Sequence, residues 1–484
     1  MAELHYAGEY ILEVCEIYTT SGLVLDMSDQ FASVNIYEDI FKKALTGDIS
    51  FVDTNNLITN APIIGQEKLK LKLITPMANE SEGRQVSIDF TQTPLYIYKI
   101  NSKVPVNDKT TTYTLSFTTP EYVRNNRTRV QSSYEGEPSE EIIKEIIRDP
   151  ELLDSKKEFF YEKTSNKFKV VGNSQRPLDF IAGLSRRCLS RDYNFAPTYL
   201  FYETVKGLFY RTLDGMMDRK NPRMVFREVT PNLMEEEDRS KGIDPSKTIN
   251  NILNYEVSSA IDTMQNMRNG MYGSKLFLLD LHNKHYDTFE YNYLDDFDED
   301  VHVDKFNAYG SQNAPLASAA NDDYGNRISD YPEAAYFVQT IERDVEGGLH
   351  NPAFDGQFDY TGTDEWLLER KGRMTALNSA LTLNLEVPGN TVLQAGDLIG
   401  VVLKNQHSGS SDPDPYLTGR YLVTQLRHSF VRGDGQDRHT IHLTCVRDTI
   451  KQPYPSAGVT YQDGGNIIDE EIPLGDSDAG DVVF

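Results

Sequence analysis

Short stretches that alternate apolar and polar residues dominate the first 120 positions of the chain. Residues 68–74 read KLKLKLI, in which Leu69, Leu71 and Leu73 alternate with lysines. Successive side chains of a strand point to opposite faces, so this stretch predicts a strand with one buried and one wet face. Similar stretches lie at 10–18, 48–53, 86–90, 95–100 and 111–117. Six short strands between turn signals favour a β-barrel or sandwich over a parallel sheet.

The period becomes helical near residue 120. Residues 138–150 read PSEEIIKEIIRDP, with isoleucines on one stripe and acidic residues in the first turn, which predicts a short amphipathic helix. A second helix is predicted from Pro177, a favoured first helical residue, and a hairpin from 197–203 and 207–213. This part of the chain therefore reads as a small α+β domain, which ends in a charged linker.

A second strand-rich region follows the linker. Residues 249–262 and 274–293 predict strands that lead to the acidic loop 295–300. Residues 304–333 predict an exposed loop, and 364–380 predict a helix. The helix leads into four alternating stretches, LTLNLEV, DLIGVVL, YLVTQLRHSF and HTIHLTCV.

One plan of turn and strand occurs twice, more than 300 residues apart. Residues 387–403 read VPGNTVLQAGDLIGVVL, and residues 59–74 read TNAPIIGQEKLKLKLI. In both, a turn with a proline precedes a glycine, and the glycine precedes a new strand. Glycine at such a place tolerates a positive φ or a close backbone approach. The residues that mark the two copies are Gly65 with Leu69, Leu71 and Leu73, and Pro388, Gly389, Gly396, Ile399 and Val401.

Length and composition restrict the class of protein. A chain of 484 residues predicts two or more domains. Its three cysteines are far apart and lie in apolar patterns, which predicts reduced core residues and a reducing site of synthesis. We find no signal-peptide pattern and no apolar run of about 18 residues, so we expect no membrane insertion.

The formal net charge of −26 argues against broad binding of nucleic acid, because such binding needs Lys and Arg along the phosphates. An acidic wall would instead let nucleic acid pass without sticking. An acidic surface also simply keeps a protein soluble, and charge alone leaves both interpretations open.

Candidate chemistry is sparse. His439 and His442, with His428 nearby, could suggest a metal site, but residues three apart on a strand point to opposite faces. The acidic runs 295–300 and 433–438 lack the ligand spacing of a calcium loop. The sequence contains no HExxH, GxSxG, Walker or GxGxxG motif. We therefore predict no catalytic residue, no metal and no cofactor.

The last 34 residues, 451–484, are rich in Gly and acidic residues and carry isolated apolar positions. This composition predicts an extended tail that is ordered by a partner. The candidate anchors are Ile467, Ile468, Leu474 and Phe484.

Several runs resemble the baseplate central hub proteins of contractile-tailed, T-even-like bacteriophages. They begin RPLDFIAGLSRRC at 176, GMYGSKLFLLD at 270 and WLLERKGRMTALNSA at 366, and FASVNIYEDIF at 31 is similar to the first strands of that family. The N-terminal hub part of type VI secretion spike proteins has the same architecture. The resemblance spans most of residues 30–450.

The resemblance implies an α+β, mainly β fold. Two similar β-barrel tube domains with inserted α+β domains would assemble as a trimeric pseudo-sixfold ring. The implied divisions are residues 1–122 for the first tube domain and 123–240 for an α+β domain. Residues 241–262 with 364–450 would form the second tube domain, 263–363 an inserted β-rich domain, and 451–484 the tail.

The resemblance also implies a structural function without catalysis. A homotrimeric hub would join a threefold central spike, a separate protein, to the sixfold tail tube or its initiator. It could also contact wedge and tape-measure proteins, and genomic DNA would pass through it without specific binding. Such a protein is assembled in the host cytoplasm and resides in the baseplate of the virion. The alternatives are a tail-associated cell-wall hydrolase, the hub part of a secretion spike, and a glycan-binding module.

Overall fold

Antiparallel strands form most of the regular structure in the computed structural model, so the expectation of a mainly β, α+β fold is confirmed. The structure describes residues 5–54, 63–76, 86–107, 110–228, 248–259, 261–280, 284–308, 327–340, 363–379, 381–405, 413–433, 436–452, 459–461 and 467–469.

The described strands are numbered in chain order. They are β1 Ile11–Tyr18, β2 Val24–Asp26, β3 Phe31–Asp39, β4 Thr46–Asp53, β5 Lys68–Thr75, β6 Val86–Asp89, β7 Leu95–Asn107, β8 Thr110–Thr118, β9 Ser133–Pro138, β10 Phe159–Tyr161, β11 Lys167–Val171, β12 Leu200–Thr204, β13 Gly207–Arg211, β14 Val225–Arg227, β15 Asn254–Ser259, β16 Gly273–Asp280, β17 His285–Asn292, β18 Phe306–Asn307, β19 Tyr336–Thr340, β20 Leu381–Pro388, β21 Leu398–Val402, β22 Gly419–Val431, β23 Arg438–Arg447, β24 Thr449–Ile450, β25 Val459–Tyr461 and β26 Ile467–Asp469.

The described α-helices are α1 Pro120–Arg127, α2 Ser139–Arg148, α3 Pro177–Ser185, α4 Leu213–Met217, α5 Thr263–Arg268, α6 Tyr293–Asp296 and α7 Thr363–Ser379. Short 3-10 turns lie at Phe297–Glu299, Ile328–Asp330 and Pro332–Ala334.

One large sheet runs through the molecule in the order β15-β20-β23-β22-β3-β4-β8-β7-β5-β1-β2. Strand β6 pairs with β5, β21 pairs with β22, and β14 pairs with β21. Among the described strands of this sheet, β14 and β21 form the only parallel pair. The sheet therefore joins strands from both ends of the sequence into one layer.

The alternation along β5 decides how that strand packs. Leu69, Leu71 and Leu73 are fully buried in a core that also contains Cys15 and Ile17 of β1. The lysines between the leucines lie on the wetter face. A period of two residues thus gives this strand one dry and one wet side, as the sequence predicts.

A second apolar core lies beneath β20 to β23. It contains Leu383, Leu385, Ile399, Val401 and Leu443, all buried. The two cores belong to different parts of the large sheet, which is consistent with a chain too long for a single core.

The remaining described elements form two smaller regions. Between β8 and β14, helices α2 and α3 pack with the sheet β10-β13-β12 and with the two-stranded sheet of β9 and β11. The isoleucines of α2 are fully buried there, and the helix ends within two residues of its predicted bounds. Between β15 and β20, the sheet β17-β16-β19 packs against α7.

The acidic run 295–300 differs from its expected form as a loop. It contains the end of α6 and a 3-10 turn, because the Asn292 side chain accepts the N–H groups of Leu294 and Asp295 and caps the helix.

Candidate functional site

The large sheet contains the same five-strand arrangement twice. Strands β3-β4-β8-β7-β5 are neighbours in that order, and so are β15-β20-β23-β22-β21. In both sets the chain builds the first, second, third, fourth and fifth strands and places them in the order 1-2-5-4-3. We call β3, β4, β5, β7 and β8 the first repeat, and β15, β20, β21, β22 and β23 the second repeat.

The two repeats also agree in register. Their fourth strands, β7 and β22, each have 13 residues. Each has a β-bulge opposite equivalent residues of the fifth strand, between Ile97 and Lys99 in β7 and between Val423 and Gln425 in β22. Strand β7 has two further bulges, between Ile100 and Ser102 and between Pro105 and Asn107. These coincidences allow residues of one repeat to be assigned to residues of the other.

Residues paired across strands share a face of the sheet. We call the face opposite the buried apolar side chains the polar face, and two rows of residues on it show which residues of the two repeats are equivalent. The upper row is Asn35, Asp48, Ser116 and Lys99 in the first repeat and Glu256, Asn384, Thr444 and Gln425 in the second. The lower row is Ser33, Ser50, Thr114 and Ser102 in the first repeat and Asn254, Glu386, His442 and Arg427 in the second.

Uncharged hydroxyl and amide groups make up most of these rows. Ser50 and Thr114 contact each other through their hydroxyls at 3.0 Å, and the Asn35 amide donates to the Asp48 carboxylate at 2.8 Å. In the second repeat the same face forms a concavity of about 470 Å³ lined partly by Glu256, Glu386 and Arg427. The face is therefore polar with a modest acidic excess.

The turns before β5 and β21 contain the two glycines singled out in the sequence. Gly65 has φ +86° and Gly396 has φ +85°, a conformation that favours glycine. At the first turn, the buried Glu67 carboxylate accepts the N–H groups of Ile64, Gly65 and Gln66 at 2.7 to 2.9 Å. The turn thus supplies its own acceptor.

The second turn depends on other parts of the chain. Its Ala395 N–H donates to the carboxylate of Glu38, which lies on β3 of the first repeat. A Cβ on Gly396 would lie 2.3 Å from the Tyr202 hydroxyl of β12. This turn therefore has one local acceptor, the Asp397 carboxylate for the Gln394 N–H, and is otherwise held by the first repeat and by the α+β region.

The other residues of the second repeat that the sequence singled out lie at a strand end, in a turn or in the second apolar core. Pro388 ends β20, and the Gly389 N–H donates to the carbonyl of His439 at 2.8 Å. A Cβ on Gly389 would collide with the His439 ring. Ile399 and Val401 are buried in the second core.

Two of the four candidate tail anchors lie within the described residues. Ile467 and Ile468 lie on β26, which pairs with β25. Leu474 and Phe484 lie outside the described residues.

The repeats are joined edge to edge by β22 and β3. Residues 425–431 of β22 pair antiparallel with residues 39–33 of β3. The ladder is extended at one end by the Arg432 N–H to the Ala32 carbonyl at 2.9 Å and at the other by Ile40 to Thr424 at 3.0 Å. The fourth strand of the second repeat therefore pairs with the first strand of the first repeat. The eight strands β15-β20-β23-β22-β3-β4-β8-β7 form one continuous layer.

Buried titratable groups lie at this junction, of which the sequence singled out His428 and His439 but not Glu38. Glu38 accepts N–H groups from Val205 and Ala395, and burial raises the pKa of its carboxyl to about 7. His428 and His439 contact each other through ring nitrogens at 3.1 Å, and burial lowers both of their pKa values, that of His428 to about 3.

The histidine pair does not form a metal site with its neighbours. His442 lies on the polar face, three residues from His439, as the strand period requires. Among the described residues, no group of three His, Cys, Asp or Glu side chains could hold a metal ion. No helix of these described residues is long and apolar enough to cross a membrane.

The strand registers also fix what lies at each end of the layer. Thr46 pairs with Thr118, where the chain leaves β8 for the α+β region, and Leu381 pairs with Arg447 where it returns to β20. Both insertions thus start from one end, which we call the insert end. The hairpins β7-β8 and β22-β23 turn at the opposite end, which we call the hairpin end.

The chain is similar, at low sequence identity, to several solved structures of tail and secretion proteins. No protein-family model matches the chain, and no curated protein sequence matches it. A tail protein from Neisseria meningitidis is 11% identical, with 91% of this chain and 98% of that chain covered and a TM-score of 0.49. The 43 kDa tail protein of prophage MuSo2 from Shewanella oneidensis is 10% identical, with 90% and 98% covered and a TM-score of 0.48.

A third solved structure comes from Escherichia coli. It is a type VI secretion component described as structurally similar to the T4 bacteriophage tail proteins gp27 and gp5. Its identity is 10%, with 88% of this chain and 76% of that chain covered and a TM-score of 0.40. The structures that this chain resembles are thus phage tail and type VI secretion proteins, the kinds of protein named from the sequence resemblance.

Proposed function

We propose that the chain is a structural hub subunit of a contractile tail baseplate, which works as a homotrimer joining a threefold central spike to a sixfold tail tube. The observation that carries the proposal is the duplication within one chain. Three chains with two equivalent repeats each present six similar units to one neighbour while keeping three chains for another.

The two ends of the layer support a direction for the adaptor. The hairpin end carries one hairpin from each repeat, so three chains would present six. The insert end carries the α+β region after β8 and the inserted region after β15, which differ from each other. We therefore assign the sixfold tube to the hairpin end and the threefold spike to the insert end.

The polar face supports a role as the wall of a passage for DNA. Its rows are mainly Ser, Thr, Asn and Gln with few cations, of which Lys99 and Arg427 are examples. Phosphate binding requires Lys and Arg, so DNA would slide past this face without strong attachment.

Other partners follow from the same proposal. A separate spike protein would contact the insert end, and a tube or tube-initiator protein the hairpin end, with wedge and tape-measure proteins nearby. The tail of residues 451–484, with Ile467, Ile468, Leu474 and Phe484 as anchors, would bind one of them. Deletion of 451–484 should weaken binding to that partner and leave the trimer intact.

Native mass spectrometry of the full chain tests the function. We expect a species of about 165 kDa, three times the 55.0 kDa of one chain. Projection images down its axis should show a hole with six surrounding densities. A stable monomer, or a trimer without a central hole, would contradict the proposal. Clearing of peptidoglycan in a zymogram would instead favour the cell-wall hydrolase.

A further inference from the structure

Residues 219–227 form a basic stretch in this acidic chain. They read RKNPRMVFR, with four basic residues and no acidic one, whereas the whole chain has a formal net charge of −26. The stretch ends in β14, which pairs with β21 in the second repeat. It therefore concentrates positive charge on one side of that repeat.

Three of the four basic side chains lie free on the surface, and we call Lys220, Arg223 and Arg227 the basic stripe. All three residues are exposed. Within the described part of the chain, none of their side chains forms a hydrogen bond or an ion pair. The stripe therefore has positive charge available for a binding partner.

The backbone of β14 explains why the two arginines of the stripe share a face. The Arg223 N–H donates to the Leu398 carbonyl, so the extended pairing with β21 already begins there. Side chains alternate between the two faces along such a strand. Arg223 and Arg227 are therefore exposed together with Val225, whereas Phe226 is fully buried in the second core.

The carboxylates that flank the stripe have partners of their own. Arg219, the fourth basic residue, pairs at 2.9 Å with Asp397, which is almost fully buried. The Glu228 carboxylate accepts a backbone N–H at 2.9 Å, and the Asp218 carboxylate is hydrogen-bonded to Tyr193. None of these acidic groups forms an ion pair with the stripe among the described residues.

The tail leaves the described fold beside this stretch. Strand β24 ends at Ile450, and the Thr449 hydroxyl accepts the Asp304 N–H at 2.6 Å. The Asp304 carboxylate accepts the Arg420 Nε–H at 3.1 Å, and Arg420 Nη1 donates to the Arg219 carbonyl at 3.1 Å. Three hydrogen bonds therefore connect the start of the tail to the first residue of the basic stretch.

Residues 453–484 have the opposite charge. They contain seven acidic residues and no basic one, which is typical of an interaction segment. Asp463 follows Gln452 by 11 residues, which span at most about 36 Å when extended, so the acidic part of the tail can reach the nearby stripe. The acidic run 235–238 is followed directly by Arg239, so its charge is less complementary to the stripe.

We propose that the acidic tail of residues 453–484 docks on the basic stripe of its own chain. Exposed ion pairs are individually weak, so the docking depends on several of them together. The tail and the stripe start from neighbouring points of one chain, which raises their effective concentration. Docking would hold the apolar anchors Ile467 and Ile468 beside the second repeat. The inference does not depend on the hub function, because both parts belong to this chain.

Carbodiimide crosslinking of the full chain tests the docking, because the reagent joins a lysine amine to a carboxylate in contact with it. The tail has no lysine after Lys451, so each crosslinked tail peptide reports on another part of the molecule. We expect mass spectrometry to identify an amide between Lys220 and a carboxylate of residues 469–471.

An equal mixture of isotope-labelled and unlabelled chains shows from which chain the tail comes. Docking within one chain gives crosslinked peptides in which both halves carry the same label. The variant K220R keeps the positive charge and removes the amine. The amide to residue 220 should therefore disappear in K220R, which confirms the assignment of the crosslink.

Charge reversal measures how far the docking depends on the stripe. In R223E with R227E the amine of Lys220 remains, and we expect the yield of its amide with the tail to fall roughly fivefold. The control R127E with R268E changes the net charge equally at exposed arginines outside the stripe and should leave the yield unchanged. A salt concentration of 1 M, where the Debye length is about 3 Å, should lower the wild-type yield as well.

Proteolysis gives a second readout that needs no chemical modification. Glu470 and Glu471 are sites for a glutamate-specific protease, and docking would protect them. We expect cleavage at these sites to be roughly threefold faster in R223E with R227E than in the wild type, at equal circular dichroism. The control pair of arginine variants should be cleaved at the wild-type rate.

Three crosslinking results would overturn the docking. They are amides from Lys220 only to residues 235–238, tail amides only to other lysines, and crosslinked peptides of mixed label. Equal yields and cleavage rates in R223E with R227E and in the control pair overturn it as well. A trimer without the Lys220 amide leaves the hub function standing, whereas a stable monomer with that amide overturns the hub function and leaves this inference standing.

Discussion

The two repeats share the strand order, the length of the fourth strand and one bulge position, yet they stabilise the equivalent turn differently. In the first repeat Glu67 follows the turn and accepts three of its N–H groups. In the second repeat the acceptor for Ala395 is Glu38, which lies 357 residues earlier in the chain. The first turn relies on a local acceptor, whereas the second adds the distant Glu38 to a local acceptor, Asp397, which accepts the Gln394 N–H at 3.3 Å.

This difference indicates that the two copies of a duplicated unit have come to depend on different parts of the chain for the same turn. The first repeat can form its turn as soon as residues 64 to 67 are in place. The second turn requires β3 and the hairpin of β12 and β13, because Glu38 also accepts the N–H of Val205 and Tyr202 lies against Gly396. The second repeat is therefore expected to fold after the first, since loop closure over a long separation costs more entropy.

The largest expected effect comes from substituting the two glycines. G396A should reduce the free energy of unfolding by about 3 kcal/mol, because a positive φ costs about 1 kcal/mol and overpacking against Tyr202 costs about 2. G65A should cost only about 1 kcal/mol, since its Cβ would lie 3.2 Å from the Tyr98 carbonyl oxygen. Urea unfolding of both variants measures the difference.

A second substitution isolates the steric part of the G396A effect. Y202F removes the hydroxyl that a Cβ on Gly396 would meet at 2.3 Å. In the Y202F background, G396A should lose roughly half of its effect, whereas G65A should be unchanged. Equal costs for the two glycine variants would show that the turns are supported alike.

The second prediction concerns the histidine pair, which the first repeat lacks. Lys103 and Thr111 occupy the equivalent positions of His428 and His439. Folding lowers the pKa of both histidines below the ordinary 6.5, so the neutral form is favoured in the folded state. The stability that this provides is complete above pH 6.5 and is lost as the pH falls towards the folded pKa.

The expected slope is about 1.4 kcal/mol per histidine for each pH unit below 6.5. Unfolding free energies at pH 7.5, 6.0 and 5.5 should show it, and H428Q should remove about half of this slope. H5N, at an exposed histidine, serves as the control. An unchanged slope in H428Q would mean that the acid sensitivity arises elsewhere.

The sequence revealed local structure better than the connection between repeats. The alternation around Leu71 predicts a strand because a period of two defines a face, and the isoleucine stripe of α2 predicts a helix for the same kind of reason. The pairing of β22 with β3 has no such local signal, since alternation does not specify a neighbour. Glu38 offered a partial signal, because it continues the buried positions of Val34 and Ile36.

The duplication itself was visible only through its glycines. Gly65 and Gly396 are marked by backbone geometry, which sequence can express. The equivalence of Ser50 with Glu386, or of Thr114 with His442, could not be read because those side chains differ completely. Registers, not residue types, connect them.

The smallest expected effect lies at this last pair of positions, on the polar face. Glu386 pairs with His442 in the second repeat, where Ser50 and Thr114 share a hydroxyl contact in the first. Burial lowers the pKa of His442, Arg427 lowers it further, and Glu386 opposes them. E386Q removes that opposition, so the pKa of His442 should fall further, while the free energy of unfolding changes by less than about 0.5 kcal/mol. The proton resonances of His442, followed by NMR across pH, measure the shift.

The matched variant S50A should cost about 0.5 kcal/mol of unfolding free energy and leave the His442 titration in place. If E386Q does not move that titration, the two repeats have electrostatically equivalent faces despite their different residues.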